Sequence, residues 1–136
     1  MVLADRWQAK QLLPVVALII ALGCFFRSYE LGERNLWTDE AWVALAALQE
    51  QPAAVLQEGQ STPPLYLLAV WAVAKLLGQS EAGLRLTSCL FGVGTVLLFW
   101  PLARHLLSPG AGLMALALVA TSPRLVYYSK ELKQYS

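Results

Sequence analysis

Charge is scarce in this sequence. Lys, Arg, Asp and Glu together make up 14 % of its 136 residues, against about a quarter in an ordinary soluble domain. The formal net charge is only +1, which argues against a nucleic-acid partner or an acidic interaction tail. Histidine occurs once, at His105, and cannot build a metal site alone. The two cysteines, Cys24 and Cys89, both sit in apolar runs and read as small buried hydrophobes rather than a disulfide or metal pair. Gly92-Val93-Gly94 lacks the third glycine of a nucleotide loop and lies within an apolar run. The length leaves room for a few membrane spans, not for a complete transporter or a large enzyme.

What the chain has in abundance is apolar residues, 57 % of the total, with a mean hydropathy of +0.52. The reading is an all-α integral membrane fold. Leu12–Phe26 is the first apolar run, with Trp7 and Tyr29 as interfacial anchors and Arg6 and Lys10 before it. It ends in Cys24-Phe25-Phe26-Arg27 without a small-x-small cleavage site, so it reads as an uncleaved signal anchor. The positive-inside rule puts the N-terminus in the cytoplasm. Leu86–Ala103 supplies 18 uncharged residues for a second span, with Ser88 and Gly92 as a small-xxx-small face. A last span starts near Ala111 and runs past Ser122-Pro123 towards Tyr127-Tyr128.

The run Pro63–Ala74 has only 12 residues before Lys75, a length more common in interfacial or re-entrant segments than in spans. Two topologies follow. With three spans, at about 11–29, 84–104 and 110–128, residues 30–83 form an outer loop with surface helices near 39–50 and 63–77. Arg104 and His105 then face the cytoplasm. With four spans, Arg104 lies outside. The short run and the positive-inside rule favour three.

Three constellations can carry chemistry. Asp39-Glu40, within Leu36–Trp42, follows the first span closely. Thr38 or Asp39 can cap a helix running to Gln49, or Asp39 can act at the membrane surface as a general base or metal ligand. Pro63-Pro64-Leu65-Tyr66 can simply start a helix, or aim Tyr66 into a cavity. In the tail, Tyr127, Glu131 and Tyr135 share one face if the segment is helical. That face can be an aromatic belt with snorkelling lysines, or a site for a phosphate and a sugar.

The ordered set Asp39-Glu40, Pro63-Pro64-Leu65-Tyr66, Gly78-x-Ser80-Glu81, Leu84-Arg85-Leu86, Leu102-Ala103-Arg104, Thr121-Ser122-Pro123 and Tyr128-Ser129-Lys130-Glu131 resembles the N-terminal portion of GT-C glycosyltransferases. These enzymes use polyprenyl-phosphate sugars and include the protein O-mannosyltransferases and the lipid A aminoarabinose transferases. The resemblance spans about Trp37 to Ser136. It implies Asp39 and Glu40 as the catalytic pair, with Asp39 acting as base or orienting the acceptor and Glu40 its usual neighbour. Pro64, Tyr66, Tyr128, Lys130, Glu131, Lys133 and Tyr135 are then candidates for binding substrate or phosphate. It also implies an outer-face helix at Pro63, and a longer protein, so the 136 residues alone are expected to be inactive. Many members carry an aspartate near Glu131 that is sometimes a metal ligand. A divalent metal at Asp39 or Glu131 is therefore one option, and phosphate binding by Lys130 or Lys133 the other.

The expected partners are membrane lipid, a polyprenyl-phosphate sugar donor, and a lipid, glycan or protein acceptor. The expected location is the cytoplasmic (inner) membrane of a bacterium, with active-site loops facing the periplasm or exterior. Two rival readings stay open: a non-catalytic membrane helper or assembly protein, and a transporter fragment. Against the second, the spans carry no midplane ionisable residue.

Overall fold

The computed structural model describes residues 9–59 and 62–132. Among these, every regular element is helical: α1 (Ala9–Ser28), α2 (Thr38–Ala47), α3 (Pro52–Glu58), α4 (Pro64–Leu77), α5 (Glu81–Leu106), α6 (Pro109–Thr121) and α7 (Pro123–Tyr128). The all-α class expected from the sequence is the one the chain adopts. Prolines open four of these helices, α3, α4, α6 and α7, at positions where a missing amide hydrogen costs nothing. Ser80 caps α5, its Oγ accepting from the Gly83 amide at 3.1 Å. Gly78 closes α4 with φ at 105°, a conformation that penalises any residue bearing a Cβ.

Helix α5, at 26 residues, is the one described helix long and apolar enough to cross a membrane by itself. The apolar stretches Leu12–Ser28 in α1 and Pro109–Thr121 in α6 are shorter. These three helices pack against one another around Val16, Val96, Leu116 and Ala120. Gly23 permits the close approach of α1 to α6, since a Cβ there would lie 3.0 Å from that of Ala120. Leu13, Leu18, Leu98, Met114 and Leu118 point outward and are exposed. So much bare apolar surface marks a partner or a membrane contact.

A second layer forms from the segment between α1 and α5. Helices α2, α3 and α4 bury Val43, Ala47, Val55, Leu67 and Val70 together, and Leu84 of α5 and Leu132 join the cluster. Residues 30–83 are thus largely helical, and α3 was not foreseen in the sequence. Arg85, near the start of α5, donates to the Arg34 carbonyl at 2.6 Å, just beyond the end of α1. Arg27, in the last turn of α1, bonds the carbonyls of Val119 and Ala120 near the end of α6. The ends of α1 and α6 and the start of α5 therefore share one end of the bundle.

Two boundaries depart from expectation. Helix α2 starts at Thr38 with Trp37 as its N-cap and stops at Ala47, so neither Thr38 nor Asp39 is the cap. Trp37 takes that position because the Glu40 carboxylate accepts its amide at 3.4 Å. The apolar run after Ser108 is broken at Ser122 (φ −54°, ψ 119°) into α6 and α7. Pro123 forces this break: it has no amide hydrogen, and its ring would clash with the carbonyl of Val119, four residues back. Ser122 Oγ accepts from the Leu125 amide to restart the helix. The freed carbonyls of Val119 and Ala120 accept instead from Arg27, at 3.0 and 2.8 Å.

The small face of α5 is used as its composition suggests. Ser88 Oγ and Tyr66 Oη bond at 2.7 Å, and at Gly92 an added Cβ would collide with Ser129 Oγ and crowd Arg27 Cδ. Gly92→Val should therefore destabilise the fold by about 1–3 kcal/mol through overpacking. Gly94→Val, at a position with no neighbour within 4 Å among the described residues, should not. Thermal unfolding in detergent followed by tryptophan fluorescence separates the two, and equal behaviour of both variants would contradict this packing.

Candidate functional site

Helix α2 carries Asp39 and Glu40 one residue apart, and a helix turns such neighbours about 100° from each other. Their environments differ accordingly. Glu40 is completely buried, while Asp39 is half-buried at the edge of α2. Glu40 meets Arg85 in a two-point ion pair, with Nε to Oε1 at 3.0 Å and Nη2 to Oε2 at 2.6 Å. The backbone amide of Leu132 donates to the same carboxylate at 2.6 Å. Arg85 itself is 1 % exposed and spends its remaining donors on the carbonyls of Leu31, Arg34 and Asn35. One buried carboxylate thus joins α2, the head of α5 and the segment beyond α7. With both oxygens occupied, Glu40 is placed to organise the site rather than to exchange protons.

The tail joins the first loop a second time through Glu131. Its carboxylate, also fully buried, accepts from Arg34 Nη2 at 2.5 Å and from Trp37 Nε1 at 3.1 Å. The bond to Glu131 raises the pKa of the half-exposed Arg34 guanidinium above its ordinary value. Arg34 also stacks over the Tyr127 ring, 5.2 Å from its centre. The single helical face expected for Tyr127 and Glu131 does not form, because α7 ends at Tyr128. The chain turns through Ser129 and Lys130 and carries Glu131 inward, where its burial is compensated by two donors. The two residues still meet, through Arg34 rather than through helical spacing.

Lys130 is half-buried, with its ammonium 5.9 Å above the Tyr29 ring. Tyr66 is buried by α5, which holds its phenol above the ordinary pKa and keeps it a neutral hydroxyl on Ser88. Tyr66 and Tyr128 line a cavity of about 810 Å³ between α1, α4, α5 and α7. Pro64 opens α4 and is exposed. Lys133 and Tyr135 lie outside the described residues.

As a metal ligand, Glu131 fits poorly. Both oxygens of Glu131 already accept hydrogen bonds, one of them from a guanidinium, and a cation there would face Arg34. Among the described residues no group of three or more His, Cys, Asp or Glu side chains is placed to hold an ion.

Sequence reasoning missed Arg34 and the bonding role of Trp37. Nothing in their spacing announces a partner about 95 residues away. It placed Arg85 at the head of a span but not as the counter-ion of Glu40. The available signal was a lone arginine opening an apolar helix, which needs a carboxylate once buried.

A family model described as dolichyl-phosphate-mannose-protein mannosyltransferase matches residues 61–134, more than half of the chain. The matched stretch takes in α4 to α7 and leaves Asp39 outside. Neither the curated proteins nor the solved structures searched gave a match.

Truncating Glu40 or Arg85 to alanine strands the other charge and should cost about 3–5 kcal/mol of stability in either case. The double truncation should cost much less than the sum, because no uncompensated charge remains. Denaturation of the three variants in detergent measures this, and additive losses would show that the pair is not coupled.

Proposed function

The chain belongs to the dolichyl-phosphate-mannose-protein mannosyltransferase family, a family of membrane glycosyltransferases that use lipid-linked donors, and on that premise we propose that it contributes half of an outer-face active site. The reaction is transfer of a sugar from a polyprenyl-phosphate donor to an acceptor hydroxyl. The observation that carries this reading is the pair of buried carboxylate junctions. Glu40 bonded to Arg85 and Leu132, and Glu131 bonded to Arg34 and Trp37, hold the Asp39 helix against the Tyr128–Lys130 turn.

In the proposed chemistry Asp39 is the general base. Its carboxylate takes the proton of the acceptor hydroxyl as that oxygen attacks the anomeric carbon. The bond from that carbon to the donor phosphate breaks, and the polyprenyl phosphate leaves with the electron pair. Lys130, and Lys133 farther along the chain, neutralise the charge that develops on the leaving phosphate. Glu40 and Arg85 act one step back, as positioning residues for the helix that presents Asp39. The donor's isoprenoid stays in lipid while its sugar reaches the interface.

This reading requires the first loop and the tail to share one side of the membrane. The meeting of the ends of α1 and α6 with the start of α5 supports three spans, formed by α1, α5 and the segment α6–α7. Helix α4 then rests on the outer face. Arg104 and His105, at the far end of α5, fall on the cytoplasmic side, in line with the positive-inside rule. The location we propose is a bacterial cytoplasmic membrane with these loops facing outward.

In the complete enzyme, Asp39→Asn should lower sugar transfer by about 10²–10⁴-fold, the usual worth of a general base. Transfer from a radiolabelled polyprenyl-phosphate sugar in membranes reads this out, and undiminished turnover would favour the non-catalytic helper. For topology, single cysteines at Gln79 and Ser108, in a background with Cys24 and Cys89 replaced by alanine, should respond oppositely to an impermeant thiol reagent on intact cells. Position 79 should label and position 108 should not; the reverse pattern would restore the four-span arrangement.

A further inference from the structure

The cavity bounded by α1, α4, α5 and α7 has a property that the sugar-transfer chemistry does not use. Its volume, about 810 Å³, falls in the range of small-ligand sites, and its wall is mainly apolar. Leu65, Phe91 and Leu125 in that wall are also exposed on the protein surface, so the cavity opens sideways where lipid would lie. Its hydroxyl groups are largely spent within the protein. Tyr66 and Ser88 bond each other, Thr95 donates to the Phe91 carbonyl, and Ser129 donates to the Leu125 carbonyl.

Arg27 is the only charged residue lining this cavity among the described residues. It is 1 % exposed, and its two terminal nitrogens serve the carbonyls of Gly23, Val119 and Ala120. Its Nε has no acceptor among the described residues. A buried N–H left unpaired costs about 1–3 kcal/mol, so Arg27, whose side chain lines this wall, keeps one vacant donor.

We propose that this cavity holds one fatty-acyl chain of a glycerophospholipid from the surrounding bilayer, with the ester carbonyl of that chain accepting from Arg27 Nε. The position suits the ligand: Arg27 lies in the last turn of α1, and ester carbonyls lie just beneath the lipid headgroups. An isoprenoid chain has no acceptor along its length and leaves Nε unpaired. A phosphate group seeks several donors and a second cation, and the wall provides one donor and one charge already shared among carbonyls. The inference is independent of the catalytic assignment of Asp39.

The test uses the protein in the membranes of cells that express it and two photoreactive phosphatidylethanolamines. One is the diacyl ester with a diazirine midway along a chain, the other its dialkyl ether twin, which lacks the carbonyls. The ester probe should cross-link to α5 and α7 residues of the cavity, and the ether twin should label about tenfold less, the worth of one hydrogen bond to a charged donor. Ala69→Phe, which fills the cavity from α4, should abolish labelling, and excess undecaprenyl phosphate should leave it intact. Equal labelling by the two probes in the unmodified protein would overturn the proposal whether or not the variant folds. Displacement by undecaprenyl phosphate would also overturn it and give the cavity to the donor's chain.

Discussion

A charge taken out of water is tolerated only where an opposite charge and enough hydrogen bonds meet it, and the end of this protein where α2 meets the head of α5 is organised around that constraint. Glu40 and Arg85 are both buried and 45 residues apart in sequence. Satisfying them fully takes the carbonyls of the post-α1 segment and the amide of Leu132. Each of those groups belongs to a different part of the chain, so meeting the charges forces the parts together. The helical layer α2–α4 then packs its apolar residues beneath the junction. Apolar burial alone is non-directional and would leave the rotation of α2, and with it the direction of Asp39, poorly defined.

The bundle below follows a different logic. Its helices approach closely where residues are small, at Gly23 against Ala120 and at Gly92 against Ser129 and Arg27. Small-residue contacts of this kind let backbones meet in a setting where apolar burial gives no preference between helix and lipid. The α2–α4 layer is thus specified by charge and the bundle by shape. The cavity lies where the two meet, with Tyr66 from the first and the small face of α5 from the second.

Much of this was legible in the sequence, for identifiable reasons. Long apolar runs and proline-marked helix starts report local physics, so the positions of α1, α4 and α5 follow closely. The run after Pro63 gave the helix α4 nearly to its bounds, Pro64–Leu77 against an expected 63–77. The ordered motifs pointed to the family that the match over residues 61–134 shows. Contacts between distant residues were not legible. Glu131 is paired by Arg34 at a separation of 97 residues, and no periodicity connects them. The helical face through Tyr127 and Glu131 failed because burying a carboxylate beside two donors outweighed one more turn of α7. The break at Ser122 was visible as Ser-Pro, but its effect depended on whether another side chain would accept the freed carbonyls.

That last dependence bears on how the protein is assembled. During synthesis α1 emerges before α6, with Arg27 in its final turn. The carbonyls that complete the bonding of this arginine belong to α6, more than ninety residues later. Until α6 arrives, Arg27 has within its own helix only the Gly23 carbonyl and must reach for interfacial water. The carbonyls that Pro123 frees in α6 are equally incomplete without α1. Each helix therefore carries a polar defect that the other repairs, and the docking of α6 turns two separately imperfect helices into a matched pair.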